Sequence, residues 1–122
     1  MSILLTGGDG YIGWPTAIRI ANRTDDRVIL TDNLGRREWV DSVGSTSAVP
    51  IDEPAERLAA AERVHGLSNL SFVEADLTDR AAVDQLLSVH EPDAVIHTAA
   101  QPSAPYSQIN GERANYTQHN NM

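Results

Sequence analysis

The 122-residue sequence contains no cysteine and no lysine. Without cysteine there is no disulfide, no thiolate metal site and no thiol nucleophile. Without lysine, all nine basic residues are arginines, and every mechanism that needs a lysine amine is excluded. Positive charge is scarce as well: seventeen acidic residues leave a net charge of −8 and a pI near 4.7, which argues against nucleic acid or an anionic membrane as partner. An acidic, lysine-free surface suits a high-salt cytoplasm, and a GC-rich genome produces the same arginine bias. No apolar run approaches the roughly 20 residues that span a bilayer. Met1 to Gly7 lacks the basic flank and long apolar stretch of a signal peptide. A cytoplasmic protein with no membrane partner is expected. No His/Asp/Glu grouping has metal-ligand spacing, and Ser103 and Ser107 lack a nucleophile elbow, so metal and hydrolase chemistry are not expected.

What remains is an ordinary globular chain, 41% apolar, of a length that makes one domain with a single core. Ser2–Thr6 is a short apolar run ending in glycines and reads as a buried strand. From Tyr11 to about Asn22, Ile12, Ala17, Ile18 and Ala21 recur at helical spacing, with Pro15 in the first turn. Arg27–Thr31 is a second strand, closed by Asp32 and Asn33. The stretch from about Leu34 to Ile51 is polar and aperiodic and reads as a long loop. Pro54 to His65 reads as a helix with Leu58, Ala59 and Val64 inward and Gly66 as its stop. Leu70–Ala75 is a third strand. Thr78 is a natural cap for a helix carrying Ala82, Val83, Leu86 and Leu87 and ending near His90. Asp93–Ala100 is a fourth strand, and a last helix starts near Glu112. This alternation predicts a Rossmann-type α/β fold: a doubly wound parallel sheet of about four strands, order 3-2-1-4, with residues 1–122 forming one dinucleotide-binding domain.

The chemistry concentrates in Thr6-Gly7-Gly8-Asp9-Gly10-Tyr11-Ile12-Gly13, which places glycines at 7, 10 and 13 between a strand and a helix. Such glycines permit a tight turn, let the backbone approach a pyrophosphate and allow close helix–strand packing. The helix N-terminus, from Tyr11 through Gly13, then offers N–H groups to the phosphates. Asp32 lies near the offset of about 20 residues at which an acid hydrogen-bonds the adenosine ribose, and its charge would repel a 2′-phosphate, favouring NAD over NADP. Arg36 and Arg37 pull the other way, because arginines after the second strand can receive that phosphate. Asp32 can also be read as a turn residue. Asp76 and Leu77 fall where an adenine would rest, although Asp76 equally suits the turn before Thr78. Ala99-Ala100-Gln101 marks the end of the fourth strand, where small residues let backbone pass under a nicotinamide ribose. His97, inside an apolar strand, reads as a core histidine rather than an acid or base.

Together, Gly7-x-x-Gly10-x-x-Gly13, Asp32, Asp76-Leu77 and Val95–Ala100 resemble extended short-chain dehydrogenases that act on nucleotide sugars. More particularly, Gly8–Thr16 with its Trp14-Pro15 pair, Asp32–Arg37, Ser103–Ser107 and Tyr116–Asn121 are similar to UDP-sulfoquinovose synthases, and the similarity spans essentially the whole chain. The resemblance implies an enzyme that holds NAD, oxidises the glucosyl C4 of UDP-glucose, eliminates water across C5 and C6, adds sulfite and returns the hydride. It also implies contacts of Asn33 and Arg36 with the adenosine half, an approach of Gln101, Ser103 and Tyr106 to the nicotinamide and sugar, and a homodimer in the full-length enzyme.

Two departures bound the transfer. Pro102 stands where the family carries an arginine suited to holding sulfite or the sugar, and Ala100 stands near a position usually acidic. The Tyr-x-x-x-Lys pair that supplies the acid/base tyrosine is missing: Tyr11, Tyr106 and Tyr116 are followed four residues later by Pro15, Asn110 and Asn120. No catalytic residue is therefore assigned. Residues 116–122 read as a core helix cut in mid-course, which leaves the fourth strand as an apolar sheet edge. The chain is expected to be an incomplete domain without the substrate-binding part, inactive alone and binding NAD weakly. A UDP-glucose epimerase or dehydratase fragment, and a non-catalytic NAD-binding module, are the alternative readings.

Overall fold

The computed structural model describes residues 1–122, and its sheet follows directly from four short apolar runs. β1 (Ser2–Thr6), β2 (Arg27–Asp32), β3 (Leu70–Glu74) and β4 (Ala94–His97) form one parallel sheet in the order β3-β2-β1-β4. Thr6 pairs with Thr31 on one side and His97 on the other, and Asp32 pairs with Glu74, so the carboxyl ends of all four strands lie together. β1 and β2 are buried on both faces, as runs of Ile, Leu and Val in a parallel sheet should be. Leu5, Val28 and Leu30 form the core with Ala17 and Ala21 of α1 (Gly13–Ala21), Ala61 of α3 (Pro54–His65) and Leu67.

Several local expectations hold at their chemical signals. Pro15 sits in the first turn of α1, Pro54 opens α3, and Gly66 ends α3 with φ +68°. Others are corrected. The stretch after Asn33 is not all loop: α2 spans Gly35–Ser42. Its charged sequence has little apolar period, and its start is held by side chains instead. Asp32 accepts from the Leu34 N–H at 2.8 Å and Asn33 from the Gly35 N–H at 3.0 Å, keeping Leu34 at φ 59°.

On α3 the inward side carries Leu58 and Ala61, three residues apart on one face, whereas Ala59 and Val64 are exposed, Val64 in the last turn before Gly66. α4 (Arg80–His90) is capped by Asp79, whose side chain accepts from Ala81 N–H; Thr78 is occupied by Asp76, which takes its N–H and its hydroxyl. Of the apolar residues on α4, Leu86 is buried and Leu87 is exposed. β4 ends at His97 rather than continuing to Ala100, because β1, the strand it pairs with, ends at Thr6 and turns away at Gly7 with φ +74°; the Thr98 N–H makes the last bond, to the Thr6 carbonyl. His97 is exposed on this edge strand, not in the core, with Nδ1 2.7 Å from Thr6 Oγ1. α5 (Ala104–Ser107) and α6 (Gly111–Asn121) follow beyond β4. No helix is long and apolar enough to cross a membrane.

Candidate functional site

At the carboxyl ends of the strands lies a cleft of about 620 Å³, within the size range of cofactor sites. One wall is the turn from β1 into α1. Gly7 adopts φ +74°, and a Cβ there would come within 2.7 Å of the Thr98 and Ala99 backbone. A Cβ on Gly13 would stand 2.1 Å from the Gly7 carbonyl oxygen, so only glycine lets α1 start against the end of β1. Gly10 N–H closes the turn onto the Gly7 carbonyl, and Trp14 N–H onto the Gly10 carbonyl. The N–H groups of Tyr11, Ile12 and Gly13 have no acceptor within the chain. Three free amides at a helix N-terminus, facing a cleft, suit an anion.

The second wall is the end of β2. The two oxygens of Asp32 each accept one backbone N–H, from Asp9 at 3.0 Å and from Leu34 at 2.8 Å. Burial pushes this carboxyl above the ordinary range, and the neighbouring Asp9 charge adds to the rise against the lowering effect of these amides. Thr31 Oγ1, fully buried beneath the cleft, has no hydrogen-bond partner. Asp9 itself faces Arg37, bidentate at 2.9 and 3.0 Å, and Arg57 at 2.7 Å. Burial opposes its charge, but the hydrogen bonds and charges of Arg37 and Arg57 outweigh that and hold the carboxyl below its ordinary range.

The structure brings most of the expected residues into this one cleft. Gly7, Gly10, Tyr11, Ile12, Gly13, Asp32, Asn33, Arg36, Asp76, Leu77, Ala99 and Ala100 all line it. Asp76 lines the cleft and holds the Thr78 turn, so both readings of that residue describe its geometry. Arg36 lies over the Tyr11 ring at 5.5 Å. Gln101, Ser103 and Tyr106 lie outside the lining. Gln101 is buried, 2% exposed; its N–H donates to Asn121 Oδ1 at 2.6 Å and its carbonyl accepts from Asn121 Nδ2 at 3.0 Å. Gln101 Oε1 accepts from Ser103 N–H, while Nε2 has no partner. Ser103 caps α5 by accepting from Tyr106 N–H. Tyr106 is buried against Trp39 and Tyr116, the three ring centroids 5.8 to 6.0 Å apart.

Sequence reasoning missed Trp39, which reaches the cleft from α2, and His119, Asn120 and Asn121, which reach it from the end of α6. The lone tryptophan in the polar 34–51 stretch was the available signal for the first. Nothing local marks Asp9 as an ion-pair centre, since its partners lie 28 and 48 residues away.

Comparison with known proteins places this geometry among relatives. The NAD dependent epimerase/dehydratase family matches residues 3–122. The UDP-sulfoquinovose synthase of Sulfolobus acidocaldarius is 41% identical over 121 residues, 99% of this chain and 30% of that protein. The chloroplastic UDP-sulfoquinovose synthase of Spinacia oleracea is 36% identical over 120 residues, 98% of this chain and 24% of that protein. Among solved structures, the UDP-glucose-4-epimerase of Stenotrophomonas maltophila, with bound NAD and formylated UDP-arabinopyranose, superposes with a TM-score of 0.64 at 26% identity, covering 98% of this chain and 33% of that one. The chain thus spans a third or less of the length of these relatives.

Proposed function

The chain belongs to the NAD dependent epimerase/dehydratase family, and from that premise we propose that it is the NAD-holding part of a cytoplasmic enzyme that makes UDP-sulfoquinovose from UDP-glucose and sulfite. The observation that carries the sulfoquinovose reading is the end-to-end similarity to two synthases, at 41% and 36% identity. The NAD reading rests on the cleft: three free amides for a pyrophosphate, a half-buried acid at the end of β2 for a ribose diol, and an unpartnered Thr31 hydroxyl in the lining. These residues fit a dinucleotide. NAD, when bound, supplies reversible removal of a hydride from the glucosyl C4, which makes C5 acidic enough for loss of water across C5 and C6 before sulfite adds.

The residues divide along the cleft. The amides of Tyr11, Ile12 and Gly13, with Gly7 and Gly10 clearing space, hold the pyrophosphate. Asp32, Asn33 and Arg36 hold the adenosine ribose, and Asp76 and Leu77 the adenine. Ala99 and Ala100 border the nicotinamide, while Gln101, Ser103 and Tyr106, outside the lining, support that end of the cleft from behind, Gln101 through its hydrogen bonds to Asn121. Each Asp32 oxygen accepts one amide, which leaves lone pairs for a ribose hydroxyl. Residues 1–122 form a dinucleotide-binding domain that holds no Tyr-x-x-x-Lys pair, and by themselves they do not turn over.

The test is product analysis on the full-length enzyme that contains these residues, with UDP-glucose and with or without sulfite. Sulfite-dependent formation of a UDP-sugar with a C6 sulfonate is the expected result. UDP-galactose formed irrespective of sulfite would replace this reading with a 4-epimerase. NAD-dependent chemistry by residues 1–122 alone would overturn the assignment of acid/base catalysis to the rest of the enzyme.

A further inference from the structure

Two arginines follow β2, and either could in principle receive the 2′-phosphate of NADP; the structure treats them differently. Arg36 is exposed, lines the cleft and rests on the Tyr11 ring. Arg37 has no donor to spare. Its Nε donates to Asp9 Oδ2 at 2.9 Å; Nη2 donates to Asp9 Oδ1 at 3.0 Å and to the Asp52 carbonyl at 2.8 Å. Its Nη1 donates to Glu53 Oε1 at 2.8 Å and to the Ile51 carbonyl at 3.4 Å. A guanidinium has five N–H donors, and all five are committed.

The residue that takes the largest share is Asp9, in the glycine-rich turn, whose side chain is 8% exposed. It also engages Arg57, whose Nη1 donates to the Asp9 carboxylate at 2.7 Å and to the Asp9 carbonyl at 3.0 Å while its guanidinium stacks 4.1 Å from the Trp14 ring centre. Asp9 N–H in turn donates to Asp32, so this ion cluster adjoins the carboxylate at the ribose end of the cleft.

We propose that Asp9 is a second determinant of NAD over NADP: by engaging the Arg37 fork it withdraws one of the two arginines that could pair with a 2′-phosphate. This inference rests on the cleft being an NAD site. Asp9 acts through Arg37 and is therefore a positioning residue. Asp32 repels the phosphate, and Asp9 removes one of the two groups that would welcome it. The arrangement is economical in charge, because one buried carboxylate both fixes the glycine turn to α2 and α3 and keeps an adjacent arginine from changing the cofactor.

The experiment measures NAD and NADP dissociation constants by calorimetry for the wild-type chain, Asp9→Asn, Arg37→Ala and the double variant. Asp9→Asn keeps the shape of the side chain and removes its charge. The ratio of the NADP constant to the NAD constant is expected to fall by about tenfold in Asp9→Asn, the scale of one charge-assisted hydrogen bond, and to return to the wild-type ratio when Arg37→Ala is added. In the wild-type background Arg37→Ala is expected to leave the ratio unchanged. A merely structural role for Asp9 would weaken both cofactors alike and leave the ratio fixed, which overturns the inference, as would a gain in NADP binding that survives loss of Arg37. A selective loss of NADP binding in Arg37→Ala alone overturns it too, and does so without an Asp9 variant that folds. Absence of NAD binding by the folded wild-type chain would instead overturn the function reading beneath it.

Discussion

The two ends of the cleft are built on different foundations. The turn after β1 and the end of β2 stand on strands in which Leu5, Val28, Ile29 and Leu30 are all 0% exposed, flanked by α1 and α3. The other end stands on β4, an edge strand with Val95 54% exposed, and on α6, which has no buried residue. There the fastening is polar and aromatic: the Asn121–Gln101 pair and the Trp39–Tyr106–Tyr116 cluster. The difference teaches that the part of the site assigned to the adenosine and pyrophosphate is held by the core. The part assigned to the nicotinamide and sugar is held by a few specific contacts.

The largest contrast should appear in truncation of an apolar strand residue at each end. Leu30→Ala is expected to cost about 2–5 kcal/mol through its buried cavity, whereas Val95→Ala, on the exposed edge, should cost under about 1 kcal/mol; urea unfolding of both variants decides. Equal losses would mean that β4 is as deeply embedded as β2. Next come the glycines. Gly13→Ala forces a Cβ into the Gly7 carbonyl and should cost about 1–3 kcal/mol and abolish NAD binding, while Gly111, with nothing within 4 Å of its added Cβ, should accept alanine with little change. Thermal melts and calorimetry on the pair test this.

Asn121→Ala leaves the buried Gln101 N–H without its acceptor, at a cost of about 1–3 kcal/mol, and the loss should be local. Hydrogen exchange should speed up across α6 while β1 and β2 keep their protection. Global acceleration would erase the distinction between the two ends.

The smallest effect is electrostatic. Asp9 has a folded pKa below its reference of 3.8, so the stability it contributes is present above that value and is lost as pH falls through the folded pKa. Asp32 has the opposite sign: its pKa is raised, so its contribution is largest below 3.8 and declines as pH rises through its folded value. Asp9→Asn should therefore lose less of its urea midpoint than the wild-type chain as pH falls through the Asp9 pKa, since Asp32 is common to both. An unchanged acid limb would show that the Arg37–Asp9–Arg57 cluster does not favour the ionised carboxylate.

The same division decides what was legible in the sequence. Strand order, the glycine turn and the position of Asp32 could be read because each is encoded by neighbours: apolar runs, glycine spacing, an acid at a strand end. Pro54 and Gly66 bracket α3 for the same reason. α2 could not be read, because Gly35–Ser42 is mostly charged and starts from Asp32 and Asn33 side chains rather than from a period of apolar residues. His97 was read as a core residue because an apolar strand looks alike in the centre and at the edge of a sheet, and only pairing tells them apart. The Asp9 ion cluster and the aromatic cluster join residues far apart in the chain, which no local pattern records.

The most direct test of the central claim is calorimetric titration of NAD into the wild-type chain and into Gly13→Ala, each first shown to be folded. Saturable binding to the wild-type chain, weaker than micromolar, and none to Gly13→Ala are expected. No binding to the folded wild-type chain, or equal binding to both, would contradict it.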